Sequence, residues 1–443
     1  MLTKQSFDIS NLICYNLEIM YLIADFHLHS KYSRATARDM DLEHIALSAQ
    51  RKGINIIGTG DFTHPEWFNE LKTKLESAEE GLYILKSQKS EVRNQNLLRF
   101  VVTGEISNIY TRNGKTRRVH NLILLSSLEV AGKINNRLSW QGNLHSDGRP
   151  ILGMDSEELL KIVLDIDRKA LFIPAHVWTP WFSVFGSMSG FNSLEEAFGE
   201  NTKYLAALET GLSSSPSMNW RLSALDKITL VSNSDAHSPD NLGREANVFD
   251  INLSYDDLRT AIIQKDPQKF LYTIEFFPEE GKYHYDGHRL CRIRMSPEER
   301  KKVNNICPVC GRPLTIGVLS RVDELADRPD GFIPENSIPF KSLVPLKEII
   351  AEALGVQSKT KKVEEYYQLL IKHFSTEFNV LLKANEGDIV QLTTSKIGEA
   401  VRKVREGNLI IEPGYDGEYG KIKIFDKDLE DTSQINSYQN TLF

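Results

Sequence analysis

The chain has 443 residues, 41% hydrophobic and 26% charged, which is the make-up of a globular protein of two or three compact units. A formal net charge of −7 removes any global basic field, so contacts to nucleic acid have to come from local patches. Four cysteines in this length exclude a disulfide framework and fit reduced or metal-bound thiols in a cytoplasmic protein, and no apolar stretch reaches the roughly 18 residues of a membrane span.

The first nineteen residues carry Lys4, Asp8 and Glu18 without a small-residue cleavage site, a poor signal peptide. Met20 stands directly before a strand-like run, so Met20 is expected to be the native start and 1–19 an appended lead, with Cys14 given no role. Short β-branched and aromatic runs then predict strands at Tyr21–His27, Ile54–Asp61, Leu98–Glu105, Val119–Leu125, Ala170–His176, Tyr204–Glu209, Ile228–Asp235 and Leu271–Phe277. Leu42, Ile45, Ala46 and Ala49 before Gly53 predict a helix between the first two. Asp155 and Glu158 predict a capped start ahead of Leu159, Leu160, Val163 and Leu164. Alternation of this kind predicts βα units around a mostly parallel sheet, open or closed.

From about residue 279 the character changes. Residues 282–328 hold ten Lys/Arg against six Asp/Glu, and three of the four cysteines. Helical patterns return at Leu346–Ala353, Val363–His373 and Ile397–Val404, and a polar tail begins near 426. The expected partition is a barrel over 20–278, a zinc-binding module over 279–330, a helical region over 331–425 and a flexible tail over 426–443.

Nearly every predicted strand ends in a potential metal ligand. His27-Leu28-His29 closes the first, and Asp61 with His64 follows the second. Glu105 closes the third, His176 the fifth, and Asp235-Ala236-His237 follows the seventh. His120 is the exception, at the start of the fourth. A lone histidine at a strand end is ordinarily a hydrogen-bonded residue, but the strand ends of βα architectures share one rim, and this many ligand types there point to two or three divalent ions. Imidazole-rich ligation favours Zn²⁺, Mn²⁺ or Fe²⁺ over Mg²⁺ alone.

These motifs resemble those of the PHP (polymerase and histidinol phosphatase) superfamily over residues 21–278. The resemblance implies a distorted (β/α)₇ barrel with a multinuclear centre for phosphoester hydrolysis. By position, His27, His29, Glu105 and Asp235 would hold one metal, and Glu105, His120 and His176 a second, with Glu105 bridging. Asp61, His237 and His64 would hold a third. Two departures fall on that third site: Ala35 stands where many members have His, and Thr59-Gly60-Asp61 where many have T-D-H. Asp235, His237, His64 and Glu105 are the expected catalytic set. His288-x₂-Cys291 and Cys307-x₂-Cys310, with His284 as a competing ligand, have the spacing of one structural zinc site.

Longer stretches, among them Phe26–Thr36, Met218–Leu225, Tyr283–His288 and Cys307–Leu314, resemble the endonuclease Q family from about residue 21 to 425. That likeness implies a DNA repair endonuclease that nicks 5′ of uracil, hypoxanthine or xanthine, and at abasic sites. Candidate DNA contacts are Arg34, Arg289 and Arg292 for phosphates, and Trp178, Trp181 and Phe182 for stacking in a loop after His176. Phe185 belongs to the same loop, and the alternative is that these rings cap the barrel core. Asn219 and Arg221 are candidates for the same work. The terminal Gln439-Asn-Thr-Leu442-Phe443 resembles a bacterial sliding-clamp peptide. The competing readings are a small-molecule phosphatase on the same barrel and a non-catalytic DNA- or clamp-bound adaptor.

Overall fold

The computed structural model describes residues 21–88 and 98–426. The proposed lead with Met20, and the clamp-peptide residues Gln439, Leu442 and Phe443, lie outside the described residues.

Seven barrel strands follow the sequence pattern: Leu22–Asp25, Ile56–Gly58, Arg99–Arg112, Lys115–Leu125, Leu171–Pro174, Ala207–Glu209 and Thr229–Val231. The first three run parallel, as do the sixth and seventh. The third, fourth and fifth run antiparallel, so the expected, mostly parallel sheet is a mixed one. The local cause is Asn113-Gly114, both at positive φ (54° and 72°), which turn the chain in two residues between paired Arg112 and Lys115. Positive φ at both positions is the requirement of the tight hairpin turn that Asn-Gly supplies. The third strand therefore runs past Glu105, which sits mid-strand opposite Leu122, while His120 faces Ser107. Because the fourth strand comes back toward the barrel, its early histidine reaches the same rim as Glu105.

Two strands missed in the sequence extend the sheet beyond the first strand. Ala246–Phe249 pairs antiparallel with both Leu22–Asp25 and Phe270–Glu275, and Phe340–Ser342 adds parallel to the latter. Backbone bonds from Ala206 N–H to Phe172 O (3.1 Å) and Val177 N–H to Glu209 O (3.0 Å) join the fifth and sixth strands. The remaining seam is closed mostly by side chains, with Asn233 Oδ1 accepting from Phe26 N–H (3.0 Å) and Asp25 Oδ1 from Ser234 N–H (3.0 Å). Asn247 accepts from Ser232 N–H (3.0 Å) and donates to Ser232 O (2.7 Å), doing between strands what a ladder would do.

Helices cover the outside. Leu42–Lys52 is capped by Asp41, buries Leu42, Ile45, Ala46 and Ala49, and ends on left-handed Gly53, as its pattern predicts. Ser156–Ile166 starts at Asp155, whose carboxylate accepts from Glu157 N–H (2.9 Å) rather than sharing a reciprocal box with Glu158. The C-terminal region is helical at Leu346–Leu354, Lys361–Phe374, Glu377–Leu382, Glu386–Leu392 and Ser395–Glu406. The two short helices escape the periodicity because six or seven residues make barely two turns. No helix of the described residues is long and apolar enough to cross a membrane.

Beside Glu209, at the end of the sixth strand, lies a group of buried acids. Glu275 accepts from Thr210 Oγ1 (3.1 Å), and burial, with nearby Glu209, pushes its carboxyl up to about 8. Burial and the charge of Glu275 likewise raise Glu245 well above the usual range. An acid whose folded pKa exceeds its unfolded one stabilises fully below the unfolded value, and that contribution is lost as pH rises through the folded one. Stability is thus expected to fall between about pH 4.5 and 8, by on the order of 1.4 kcal/mol per pH unit for each such proton. Glu275→Gln, which keeps the neutral shape, should shallow that slope by about one proton in urea titrations from pH 5 to 8. An unchanged slope would assign the proton elsewhere.

Candidate metal centre

In an extended chain alternate residues share a face, so His27 and His29 point to the rim while Leu28 between them enters the core. Leu28 bridges Ala236, which lays Asp235 against the two imidazoles. The result is one group of His27, His29 and Asp235, and a second of Glu105, His120 and His176, with ligand atoms inside each lying within 4.8 Å of one another. Glu105 stands between them. Its Oε1 is 2.7 Å from His120 Nδ1 and 3.0 Å from His176 Nε2, and its Oε2 is 3.3 Å from His29 Nε2 and 3.5 Å from His27 Nε2. One carboxylate thus faces both groups, as a bridging ligand must.

These residues fit divalent ions on their own evidence. His27 Nε2, His29 Nε2 and Asp235 Oδ1 are buried without a hydrogen-bond partner. Orphaned buried polar atoms are costly, and three that converge are best satisfied by a cation. The far side of three of the four imidazoles is fixed. His27 Nδ1 meets Glu209 (3.0 Å), His29 Nδ1 meets Asp61 Oδ1 (3.0 Å) and His176 Nδ1 meets Thr179 Oγ1 (3.0 Å). Such partners set the tautomer, leaving Nε2 free for a metal. Asp61, His176 and Asp235 also have positive φ (46°, 31° and 45°), backbone strain concentrated at the rim.

Electrostatics follow the geometry. Burial opposes a charge on His27, but Glu209, Glu105 and Asp235 outweigh it and hold its pKa well above the usual value. His29 is raised the same way, against burial, by Asp61 and Asp235. Glu105 is held well below the carboxylate range, against its burial, by His120, Arg149 and His27. His120 is driven down to about 4, first by burial.

The third ligand set expected from Asp61, His64 and His237 is not assembled among the described residues. Asp61 is fully engaged: besides His29, its Oδ2 accepts from Ser30 N–H (2.7 Å), Ser30 Oγ (2.7 Å) and Ser33 Oγ (2.9 Å). In this arrangement it orients His29. His64 stacks on Tyr32 (4.5 Å) and pairs with Glu66, while His237 lies beside His29 (ring centroids 4.5 Å) with Nδ1 on Asp235 O. Asp61→Ala should therefore weaken metal binding by roughly 10–100-fold in calorimetric titration, with the ion count kept. Loss of a whole ion would restore it as a ligand.

The zinc set is brought together as spaced. His288, Cys291, Cys307 and Cys310 form one group, with His288 Nδ1 3.4 Å from Cys310 Sγ. His284 is outside it, buried and stacked on Tyr285 (5.5 Å).

Several expected DNA contacts are spent elsewhere. Trp178 is buried against Phe185, and its indole N–H donates to Asn219 Oδ1 (2.8 Å), so this pair belongs to the core and not to a stacking surface. Arg221 binds Asp323 (2.7 Å) where the barrel meets the zinc segment, which removes it as a phosphate contact. Trp181 is 39% exposed and packs edge-on to Tyr283, and Phe182 lies against His120. Arg34 reaches the rim loop at Asp147 (3.2 Å), and Arg289 and Arg292 are exposed on the zinc segment. Glu209 was missed, although it closes the sixth strand as Glu105 was expected to close the third. Arg149, whose Nη1 is 2.9 Å from Glu105 Oε2, was missed too.

Comparison with known proteins bears on the whole chain. Residues 345–408 match the MJ0043 C-terminal domain family. A protein of Methanocaldococcus jannaschii, MJ0043, is 33% identical over 255 residues, 55% of this chain but only 31% of that protein's length. YqxK of Bacillus subtilis is 29% identical over 91% of this chain and 99% of its own. The lesion-specific endonuclease of Pyrococcus furiosus, PfuEndoQ, superposes with a TM-score of 0.81 at 31% identity, covering 93% of this chain and 97% of that one. An endonuclease Q solved with a 27-mer duplex carrying an abasic lesion at its active site matches at TM-score 0.79, also 31% identical, over 93% and 98% of the two chains. Likeness of that extent and identity, from barrel through zinc segment to C-terminal helices, means that this chain belongs to the endonuclease Q family of endonucleases.

Proposed function

We propose that the protein is a metal-dependent DNA repair endonuclease that nicks the phosphodiester 5′ of deaminated bases (uracil, hypoxanthine, xanthine) and of abasic sites. The observation that carries this reading is Glu105 between two ligand groups, the first of which holds buried Nε2 and Oδ1 atoms of His27, His29 and Asp235 with no partner. Divalent ions held there would lower the pKa of a water and neutralise charge building on phosphate oxygens. His27, His29 and Asp235 hold one side, Glu105, His120 and His176 the other, and Glu209 and Asp61 keep the imidazoles aimed. His237 turns Nδ1 to Asp235 O (3.0 Å), which leaves Nε2 as the proton acceptor at the rim. Water oxygen bonds to phosphorus, the bond to the 3′ oxygen breaks, and that oxygen takes a proton, leaving 3′-hydroxyl and 5′-phosphate ends. Zn²⁺ in the cysteine site is structural, and Trp181, Phe182, Arg34, Arg289 and Arg292 are the surface offered to DNA.

The test is incubation with a labelled duplex carrying one uracil or hypoxanthine, with Mn²⁺, Mg²⁺ or EDTA, beside an intact duplex and a chromogenic phosphomonoester. One metal-dependent nick just 5′ of the lesion is expected. Turnover of the phosphomonoester with intact DNA would replace the repair reading by a small-molecule phosphatase. We further propose that Gln439–Phe443 docks on the replication sliding clamp; deleting 439–443 should abolish clamp capture and leave nicking unchanged.

A further inference from the structure

A single arginine enters the metal centre from a loop with no secondary structure of its own. Arg149 follows Gly148 in the segment between the helix Leu128–Leu138 and the strand Ile151–Leu152. That segment is pinned from three sides. Gly148 N–H donates to Tyr32 O (3.1 Å), Thr63 Oγ1 donates to Gly148 O (3.2 Å) and Ser107 N–H donates to Pro150 O (3.0 Å). Glycine is required at 148, because a Cβ there would sit 2.2 Å from Asp61 Oδ2 and 2.3 Å from Ser33 Oγ. The loops after the first two strands and the third strand therefore fix where the arginine side chain begins.

Its guanidinium meets Glu105 through Nη1 alone (2.9 Å), and the side chain is still 27% exposed. Guanidinium carries five N–H donors in a planar fork, so four remain for something that reaches the rim. A structural arginine in this position would be expected to close a two-point pair with its carboxylate. Here Glu105 already faces His27, His29, His120 and His176. Glu105, Asp235 and Asp147 surround the arginine, and with an ion in each ligand group that negative charge would be largely taken up, leaving the fork to pair with an incoming anion. A fork with free donors, next to both ligand groups and open to solvent, suits two non-bridging phosphate oxygens.

We propose that Arg149 grips the non-bridging oxygens of the scissile phosphate and aligns it between the two ligand groups. This rests on the phosphodiesterase reading above. It also gives Gly148 a functional reason, since any side chain there would displace the arginine from its approach.

The experiment uses the full-length, metal-loaded protein and its Arg149→Ala and Arg149→Lys variants. Three quantities are read: bound metal per chain, binding of inorganic phosphate by calorimetry, and single-turnover nicking of uracil-containing duplex. Arg149→Ala should keep its metal, bind phosphate about tenfold more weakly and nick roughly 10²–10³-fold more slowly, the range of losing one preorganised donor group. Arg149→Lys should recover only part, because a point charge lacks the fork, and added guanidinium ion should partly rescue the alanine variant. Nicking within threefold of wild type, unchanged phosphate binding, or metal lost together with activity would overturn the assignment. If the wild type nicks no lesion while the variant still loses phosphate affinity, the repair reading fails and the phosphate grip stands.

Discussion

Glu105→Ala is expected to end nicking, with a fall of at least about 10³-fold, and to strip metal from both ligand groups at once. The argument is geometric. Each carboxylate oxygen faces a different pair of imidazoles, so no other residue is common to both sets. Several kcal/mol of charge stabilisation leave with the ions, and each 1.36 kcal/mol is tenfold in rate. His120→Ala, by contrast, touches one group only. Metal analysis should then show both ions lost in the first variant and one retained in the second. Equal retention in both would mean that Glu105 is a neighbour of the centre and not its bridge.

Cys307→Ser should have the second large effect, on stability instead of chemistry. Cys307 is the buried member of the zinc set and sits under the tight turn closed by Gly311 N–H on its carbonyl (2.9 Å). Structural zinc in small sites supplies folding free energy directly, on the order of 10 kcal/mol in isolated fingers. Here the loss is cushioned, since Asp286 anchors Gly317 N–H (2.6 Å) and Arg321 reaches the barrel loop at Phe185 O (3.1 Å). Limited proteolysis should cut first within 282–328 in the variant, while barrel metal content stays at the wild-type level. Proteolysis no faster than wild type would show the segment to be held by packing alone.

The residues that the structure gathers into candidate ligand groups were legible because His, Glu and Asp beside hydrophobic strands are rare by accident, and because H-x-H and C-x₂-C carry their geometry in their spacing. Strand direction was not legible from strand composition. Only Asn113-Gly114 carries it, and a reading built on βα alternation passes over a two-residue turn. Asp61 was read as a ligand for the same reason that Asp235 was: both are acids after strands. What separates them is that Ser30 and Ser33 consume Asp61, a matter of tertiary neighbours. Trp178 and Asn219 belong to each other across 41 residues of chain, which no periodicity reveals. Arg149 lies in a Gly-Arg-Pro turn, where an isolated cation looks like any surface arginine.

A wall closed by a side-chain amide opens more cheaply than one closed by a main-chain ladder. The seam that Asn247 stitches at Ser232 lies three residues before Asp235, so opening there would carry that carboxylate outward. Other ties restrain it: Ser234 N–H donates to Asp25 Oδ1 (3.0 Å), Phe26 N–H to Asn233 Oδ1 (3.0 Å) and His29 N–H to Ala236 O (2.9 Å). Arg244 bonds Ser234 O (2.9 Å), and Phe378 of the helical region packs over Gly243. An ion held by Asp235 would add one more tie to this join, so removing metal is expected to speed amide exchange across 232–236.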